Sequence, residues 1–308
     1  MSERDFKNFK LGADPEFALC LPHTTTHSTA LARFFSEDDS HNVGLMGTDG
    51  CGRILELRPE PDENPLVVVN RIREILLSFA NTRPILQDYI WKAGSRINRE
   101  TLGGHIHFGF EKEGDDYQAW QGNFPLNIDF FMFNLAFFVG IPCTLVEKSK
   151  DARFRRRHYG QGLDYRIQLH GLEFRSPSSW LSSPYAAAAA LCLSKVVGYE
   201  LFKIVKASQS PFFQKYSPDS MFLVYLNTVN RTQLTKLFFE LWPKIQKMEL
   251  YPLYQKYLEL FPLLISKKLS WNTDDMKKSW GLYKDEVKIP SLEDVWKRYS
   301  DSLISTPT

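Results

Sequence analysis

The chain has 308 residues, 43% of them apolar and 14% aromatic, a globular composition able to bury a sizeable core. Its formal net charge of +2 supplies no global field to drive nucleic-acid or membrane binding. The four cysteines, Cys20, Cys51, Cys143 and Cys192, are scattered, which argues against a secreted disulfide framework or a cysteine zinc site and makes a reducing cytoplasm the expected setting. The charged start, MSERDFKNFK, has no apolar stretch behind it and is not expected to act as a signal peptide.

Residues 11–21 (LGADPEFALCL) read as a strand, and the polar residues 22–42 as a loop. Residues 43–58 read as a hairpin turning at Asp49-Gly50, with Pro59 and Pro61 ending its second strand. A helix is expected from Asp62–Asn64 to Asn81, because Val68, Ile72, Ile75, Leu76 and Phe79 recur at helical spacing. Residues 104–110 form the next strand. The seventeen uncharged residues between Asp129 and Glu147 sit at the short edge of a membrane span, but Gly140-Ile141-Pro142 interrupts them. They are read as a buried helix followed by a strand. Arg153–Tyr159 (RFRRRHY) reads as a basic loop, 163–175 as a hairpin turning at His170-Gly171, and 183–207 as a long alanine-rich helix. Beyond about 212 the chain is mostly helical and carries a local basic excess, with 16 Lys/Arg against 11 Asp/Glu from residue 201 onward. This order predicts an α+β fold, an antiparallel sheet with helices on one face. The expected organisation is a catalytic domain over 1–208 and a helical C-terminal region over 209–308.

Side chains alternate between the two faces of a strand. Asp14 and Glu16 therefore share one face of the first strand, opposite Phe17 and Leu19. Glu56 and Arg58 share a face opposite Leu55 and Leu57, His105 and His107 one opposite Ile106 and Phe108, and Glu173 and Arg175 one opposite Leu172 and Phe174. Taken singly, each pair has an ordinary structural reading: a strand-end cap, a cross-strand ion pair, a structural histidine. Taken together, four strands carry the same unusual polar face, without lysine. Converging carboxylates repel unless cations neutralise them, and divalent cations with oxygen ligands do so. Arginines on the same face suit phosphate or carboxylate groups. The basic segment followed by Gly160-Gln161-Gly162 and Arg166 is placed as an active-site loop; a solvated surface run and a nucleic-acid contact are its other readings. Gly103-Gly104 before His105 permits close approach of a ligand or a neighbouring chain segment.

The segments GADPEF, GTDGCGRILELRP, GGHIHFG, RRRHYGQGLDYR and LEFRSPSSWL, in this order, resemble the phage-type COOH–NH2 ligases, amidoligases of the glutamine synthetase and glutamate–cysteine ligase superfamily. The resemblance spans about residues 10–205. It implies an antiparallel sheet whose concave face holds magnesium ions and ATP. It assigns metal binding to Asp14, Glu16, Glu56, His105 and Glu173, with Asp14 a shorter arm than the family's usual glutamate. His107, Arg155, Arg156, Arg157 and Tyr159 fall in nucleotide-binding positions, and Arg166 and Arg175 hold the transferring phosphoryl group. The implied reaction phosphorylates a substrate carboxylate and lets an amine displace phosphate. Asp49, on its turn, is the candidate base. The expected partners are ATP, a carboxylate and an amine substrate, with a peptide or a modified nucleobase among the candidates. No membrane is expected, and the basic tail leaves nucleic acid open.

Two rival classes stand beside this. A metal-dependent hydrolase built on His105-x-His107 would turn over without ATP, but such sites recruit further histidines. A phage nucleic-acid-binding or protein-binding module would bind with a steep salt dependence and no nucleotide effect.

Overall fold

A computed structural model describes residues 9–21, 45–48, 54–82, 84–109, 128–203, 213, 217, 219–272 and 275–282. The expected loop at 22–42 and the Asp49-Gly50 turn lie outside the described residues.

The chain is α+β, and every strand pair in its sheets is antiparallel. In chain order the main-sheet strands are β1 (Lys10–Cys20), β2 (Met46–Thr48), β3 (Leu55–Leu57) and β4 (Ile90–Lys92). A separate two-stranded ribbon, β5 (Arg96–Ile97) and β6 (Glu100–Thr101), precedes β7 (Gly104–Gly109), β8 (Tyr165–Gln168) and β9 (Gly171–Phe174). The main sheet runs β2-β3-β1-β7-β9-β8, and β4 pairs with the end of β1.

One face of this sheet is apolar. Leu11, Phe17 and Leu19 of β1, Leu55 and Leu57 of β3, Ile106 and Phe108 of β7, and Leu172 and Phe174 of β9 are all buried in a single core. Helices cover that face. The first, α1 (Pro65–Thr82), buries the apolar stripe read from sequence, and its first turn is capped by Asn64, whose Oδ1 accepts from Leu66 N at 3.0 Å. The alanine-rich helix runs Pro184–Phe202; Ser183 caps it by accepting from Ala186 N at 3.1 Å. It is buried along its whole length, and it lies so close to the sheet that a Cβ at Gly198 would come within 2.9 Å of the Phe108 ring.

The segment after residue 128 departs from expectation. Ile128–Leu135 (α2) passes through a five-residue π-turn, Ala136–Gly140, into another helix, Ile141–Leu145 (α3), where a strand was expected. Proline is tolerated at Pro142 because the first turn of a helix has no partner for its N–H. Two helical stretches, Ile128–Leu145 and Pro184–Phe202, are long and apolar enough to cross a membrane, but 89% and 100% of their windows are buried inside this fold, as core helices are. The basic segment is also helical rather than a loop, forming α4 (Ser149–His158).

With the alanine-rich helix as α5, the C-terminal helices are α6 (Met221–Thr228), α7 (Arg231–Ile245), α8 (Tyr251–Leu258), α9 (Leu260–Ser266) and α10 (Met276–Trp280). The aromatic residues Phe238, Trp242, Phe261 and Trp280 of these helices, and Trp271 between the last two, enter the same core as the sheet. Polar ties reinforce this packing. Arg231 Nη2 donates to Leu145 O at 2.6 Å, Trp271 N to Val146 O at 2.9 Å, and Trp280 Nε1 to Leu181 O at 2.6 Å.

Candidate active site

The sheet register decides which polar residues meet. Glu16 of β1 faces Glu56 of β3, Asp14 faces His105 of β7, and Gly12 faces His107. His107 in turn faces Glu173 of β9, and Glu173 faces Arg166 of β8. Directly opposed residues share a face with their Cβ atoms about 4.5–5.5 Å apart. The four polar strand faces read from sequence are therefore one surface, opposite the buried core.

At its centre, Asp14 Oδ1 lies 3.0 Å from His105 Nδ1 and 3.1 Å from His107 Nε2. Glu173 Oε1 lies 3.5 Å from His105 Nδ1 and 3.1 Å from Arg175 Nε. Asp14 Oδ1, His105 Nδ1, His107 Nε2 and Glu173 Oε1 are buried, yet none makes a well-directed hydrogen bond. They are close without being aimed at one another. Burial raises the Asp14 carboxyl, but the two imidazoles beside it outweigh burial and hold it well below the usual carboxylate range. His105 is driven down by burial and more strongly up by Asp14, Glu16 and Glu173, so its net shift is upward. The cluster is thus a place where positive charge is stabilised.

The surroundings orient these groups. Glu16 Oε2 accepts from Gly103 N at 2.5 Å. The Tyr159 hydroxyl bonds His105 Nε2, and Arg175 lies over the Tyr159 ring with its Cζ 4.7 Å from the centroid. Glu173 Oε2 accepts from Gln168 Nε2 at 2.6 Å and lies 3.5 Å from Arg166 Nη1. Glu56 pairs with Arg58 at 2.7 Å. A groove of about 480 Å³ opens on this surface, lined by Lys10, Asp14, Glu56, Arg58, His107 and His170 among others. Gly103 and Gly104 do admit a close neighbour, and it is the chain itself. Gly103 bridges Ser178, and a Cβ at Gly104 would lie 2.4 Å from Ser178 O.

The basic segment was expected to clamp a nucleotide, and two of its arginines are turned inward. Arg155 is fully buried and donates to the main-chain carbonyls of Leu102, Ser176 and Arg175 at 2.8, 2.7 and 3.0 Å. Arg156 is buried against Ser176 Oγ at 3.1 Å, Thr144 and Gly160, with Glu147 at 4.0 Å. Helical geometry is the reason: Ala152, Arg155 and Arg156 fall on the inner face of α4, and Arg153 and Arg157 on the outer, exposed one. Neither buried guanidinium is placed to meet a nucleotide. Arg157 is exposed, and Asp49 lies outside the described residues.

Sequence reasoning passed over His170. Its Nε2 lies 2.8 Å from His107 Nδ1, with the rings stacked at 5.0 Å. The signal was non-local: only the pairing of Gly109 with Gly171 brings the hairpin turn beside His107.

Among the described residues, one group of three has metal-ligating atoms mutually within reach. One ligand atom from each of Asp14, His107 and Glu173 lies within 4.8 Å of the others. Ligands on opposite sides of one magnesium ion sit about 4.2 Å apart, so a small inward movement closes the set. Two carboxylates and an imidazole, with buried polar atoms lacking other directed partners, fit a divalent cation of the magnesium or manganese type.

The chain is thus an α+β protein whose antiparallel sheet has one face in the core and the other carrying carboxylates, imidazoles and guanidiniums. Residues 11–282 match the family model "Phage phiEco32-like COOH.NH2 ligase-type 2", and the chain belongs to this family of carboxylate–amine ligases. Among curated proteins no sequence matches. Among solved structures, a bifunctional glutathione synthetase from Pasteurella multocida is similar at a TM-score of 0.46 and 13% identity, over 98% of this chain and 52% of that one. The chain thus spans about half the length of that structure.

Proposed function

We propose that the protein is an ATP- and magnesium-dependent ligase that joins a carboxylate to an amine through an acyl phosphate. One observation carries the reading: Asp14 Oδ1, His105 Nδ1, His107 Nε2 and Glu173 Oε1 converge, buried and without directed hydrogen bonds, on a face that also bears Arg166 and Arg175. In the first step a substrate carboxylate oxygen attacks the γ-phosphorus of ATP and ADP leaves. In the second the amine nitrogen attacks the acyl carbon, phosphate leaves, and the nitrogen gives up a proton. Both steps are dominated by positioning and charge neutralisation. Asp14, His107 and Glu173 would hold a divalent cation, with Glu16, Glu56 and His105 beside them. Its contribution when bound is to neutralise phosphate charge. Arg175, held by Glu173 and Tyr159, and the more exposed Arg166 are placed to meet phosphoryl oxygens at the edge of the cluster. The groove beside Asp14 and His107 is the candidate substrate site.

Thermal unfolding with ATP alone, magnesium alone and both together tests this on the wild type and on Glu173→Gln. A ligand that binds only the folded state at a hundredfold excess over its dissociation constant stabilises it by about 2.7 kcal/mol. Stabilisation by ATP that requires magnesium, and that the variant lacks, supports the reading. No response of the wild type to nucleotide and metal refutes it.

A further inference from the structure

The groove contains a histidine that the ligase reading leaves without a role. His170 sits at the β8–β9 turn, exposed, with its Nε2 2.8 Å from His107 Nδ1. The turn is built to place it there. Gly171, the next residue, has φ +152°, and a Cβ on it would lie 1.9 Å from Phe108 O. Only glycine brings the hairpin so close to β7, and that closeness stacks the His170 ring on His107 with an interplanar angle of 29°.

The direction of the hydrogen bond between the rings follows from the other side of His107. Its Nε2 is buried, 3.1 Å from Asp14 Oδ1, and without a directed hydrogen bond. Without a cation, a proton on Nε2 faces the Asp14 carboxylate and is favoured there. A lone pair there, directed at the point where Asp14 and Glu173 also converge, is favourable once a cation binds. A neutral imidazole carries one N–H, so a bare Nε2 requires the proton on Nδ1, donated to His170 Nε2. His170 then carries its own proton on Nδ1 and, standing in an exposed turn, finds water for it.

We infer that His170 is a positioning residue. By accepting the His107 Nδ1–H it holds His107 in the tautomer and ring orientation that present a bare Nε2 to the cation position. Partners of this outer kind typically change metal affinity about 10–100-fold. The inference rests on the metal-binding part of the ligase reading, and the His107 tautomer of the metal-bound form reports on it without any measurement of activity.

The experiment uses the full chain labelled with 15N-histidine. In magnesium-saturated wild type, long-range 1H–15N correlation is expected to show a protonated Nδ1 and an unprotonated Nε2 on His107, assigned by its loss in His107→Gln. In His170→Leu the His107 Nδ1–H is expected to lose its hydrogen-bonded 1H shift, and in His170→Gln, whose amide oxygen can still accept, to regain it. Manganese titration followed by the electron paramagnetic resonance of free Mn2+ is expected to show about 10–100-fold weaker binding in His170→Leu, restored in His170→Gln. A protonated Nε2 on His107 in magnesium-saturated wild type overturns the inference, as does unchanged manganese affinity in His170→Leu. If the wild type binds no manganese, the metal-binding reading fails and the inference falls with it, whereas manganese binding that His170→Leu leaves unchanged overturns the inference alone.

Discussion

Removal of the Arg155 guanidinium is expected to be among the most destabilising single substitutions in this chain. Three directed hydrogen bonds of 2.7–3.0 Å run from it to the carbonyls of Leu102, Ser176 and Arg175. Burial pushes its pKa down, so part of their favourable energy offsets the desolvation of the charge. In Arg155→Met that desolvation is relieved, but three buried carbonyls lose their donor, each at roughly 1–3 kcal/mol. The net is expected near 3–5 kcal/mol, the range found when one member of a buried charged network is removed. Against a typical domain stability of about 5–15 kcal/mol this is a large fraction. The loss should also reach the site. Leu102 precedes Gly103, whose N–H binds Glu16, and Arg175 and Ser176 lie two and three residues after Glu173. Urea unfolding of wild type, Arg155→Met and Arg155→Lys measures this, with lysine expected to keep the charge but not the three-carbonyl geometry and to fall between the other two. An Arg155→Met midpoint equivalent to less than about 1 kcal/mol would refute the argument that these bonds tie the site segments together.

Two further outcomes follow from buried groups elsewhere. Gly104→Ala would place its Cβ 2.4 Å from Ser178 O and 2.7 Å from the Trp180 ring, and is expected to cost at least about 1–3 kcal/mol in thermal unfolding, as overpacking does. Lys195 donates to Phe9 O at 2.8 Å, and burial pushes its pKa down to about 8 from 10.5, although Glu63 and Asp62 oppose the shift. A lysine lowered on folding leaves the unfolded chain holding more protons between those values, so stability rises with pH there. Between pH 8 and 9.5 the wild type should gain about 1–2 kcal/mol relative to Lys195→Met, measured by paired thermal melts. A difference independent of pH would contradict it.

Period-two alternation is a local property of the chain. Residues alone therefore placed Asp14, Glu16, Glu56, His105, His107 and Glu173 on the polar faces of their strands, with Leu55, Ile106 and Phe174 behind them. The same locality made the α1 stripe legible, with its start read between Asp62 and Asn64 and the structure placing the cap at Asn64. The expected break at Gly140-Ile141-Pro142 became a helix, because a π-turn and a first-turn proline absorb it within a buried environment. The basic segment was legible as basic but not in its orientation. Whether Arg155 faces a ligand or the carbonyls of Leu102 and Ser176 depends on the phase at which α4 docks, and four arginines in five positions look alike from sequence. Register is the other thing that only the tertiary structure decided. The pairings Asp14 with His105, His107 with Glu173, and Gly109 with Gly171 join residues far apart along the chain. They brought the carboxylates and imidazoles to one point and set His170 beside His107. Side-chain alternation follows from each strand's own backbone, whereas the convergence of strands depends on hydrogen bonds between segments that share no local signal.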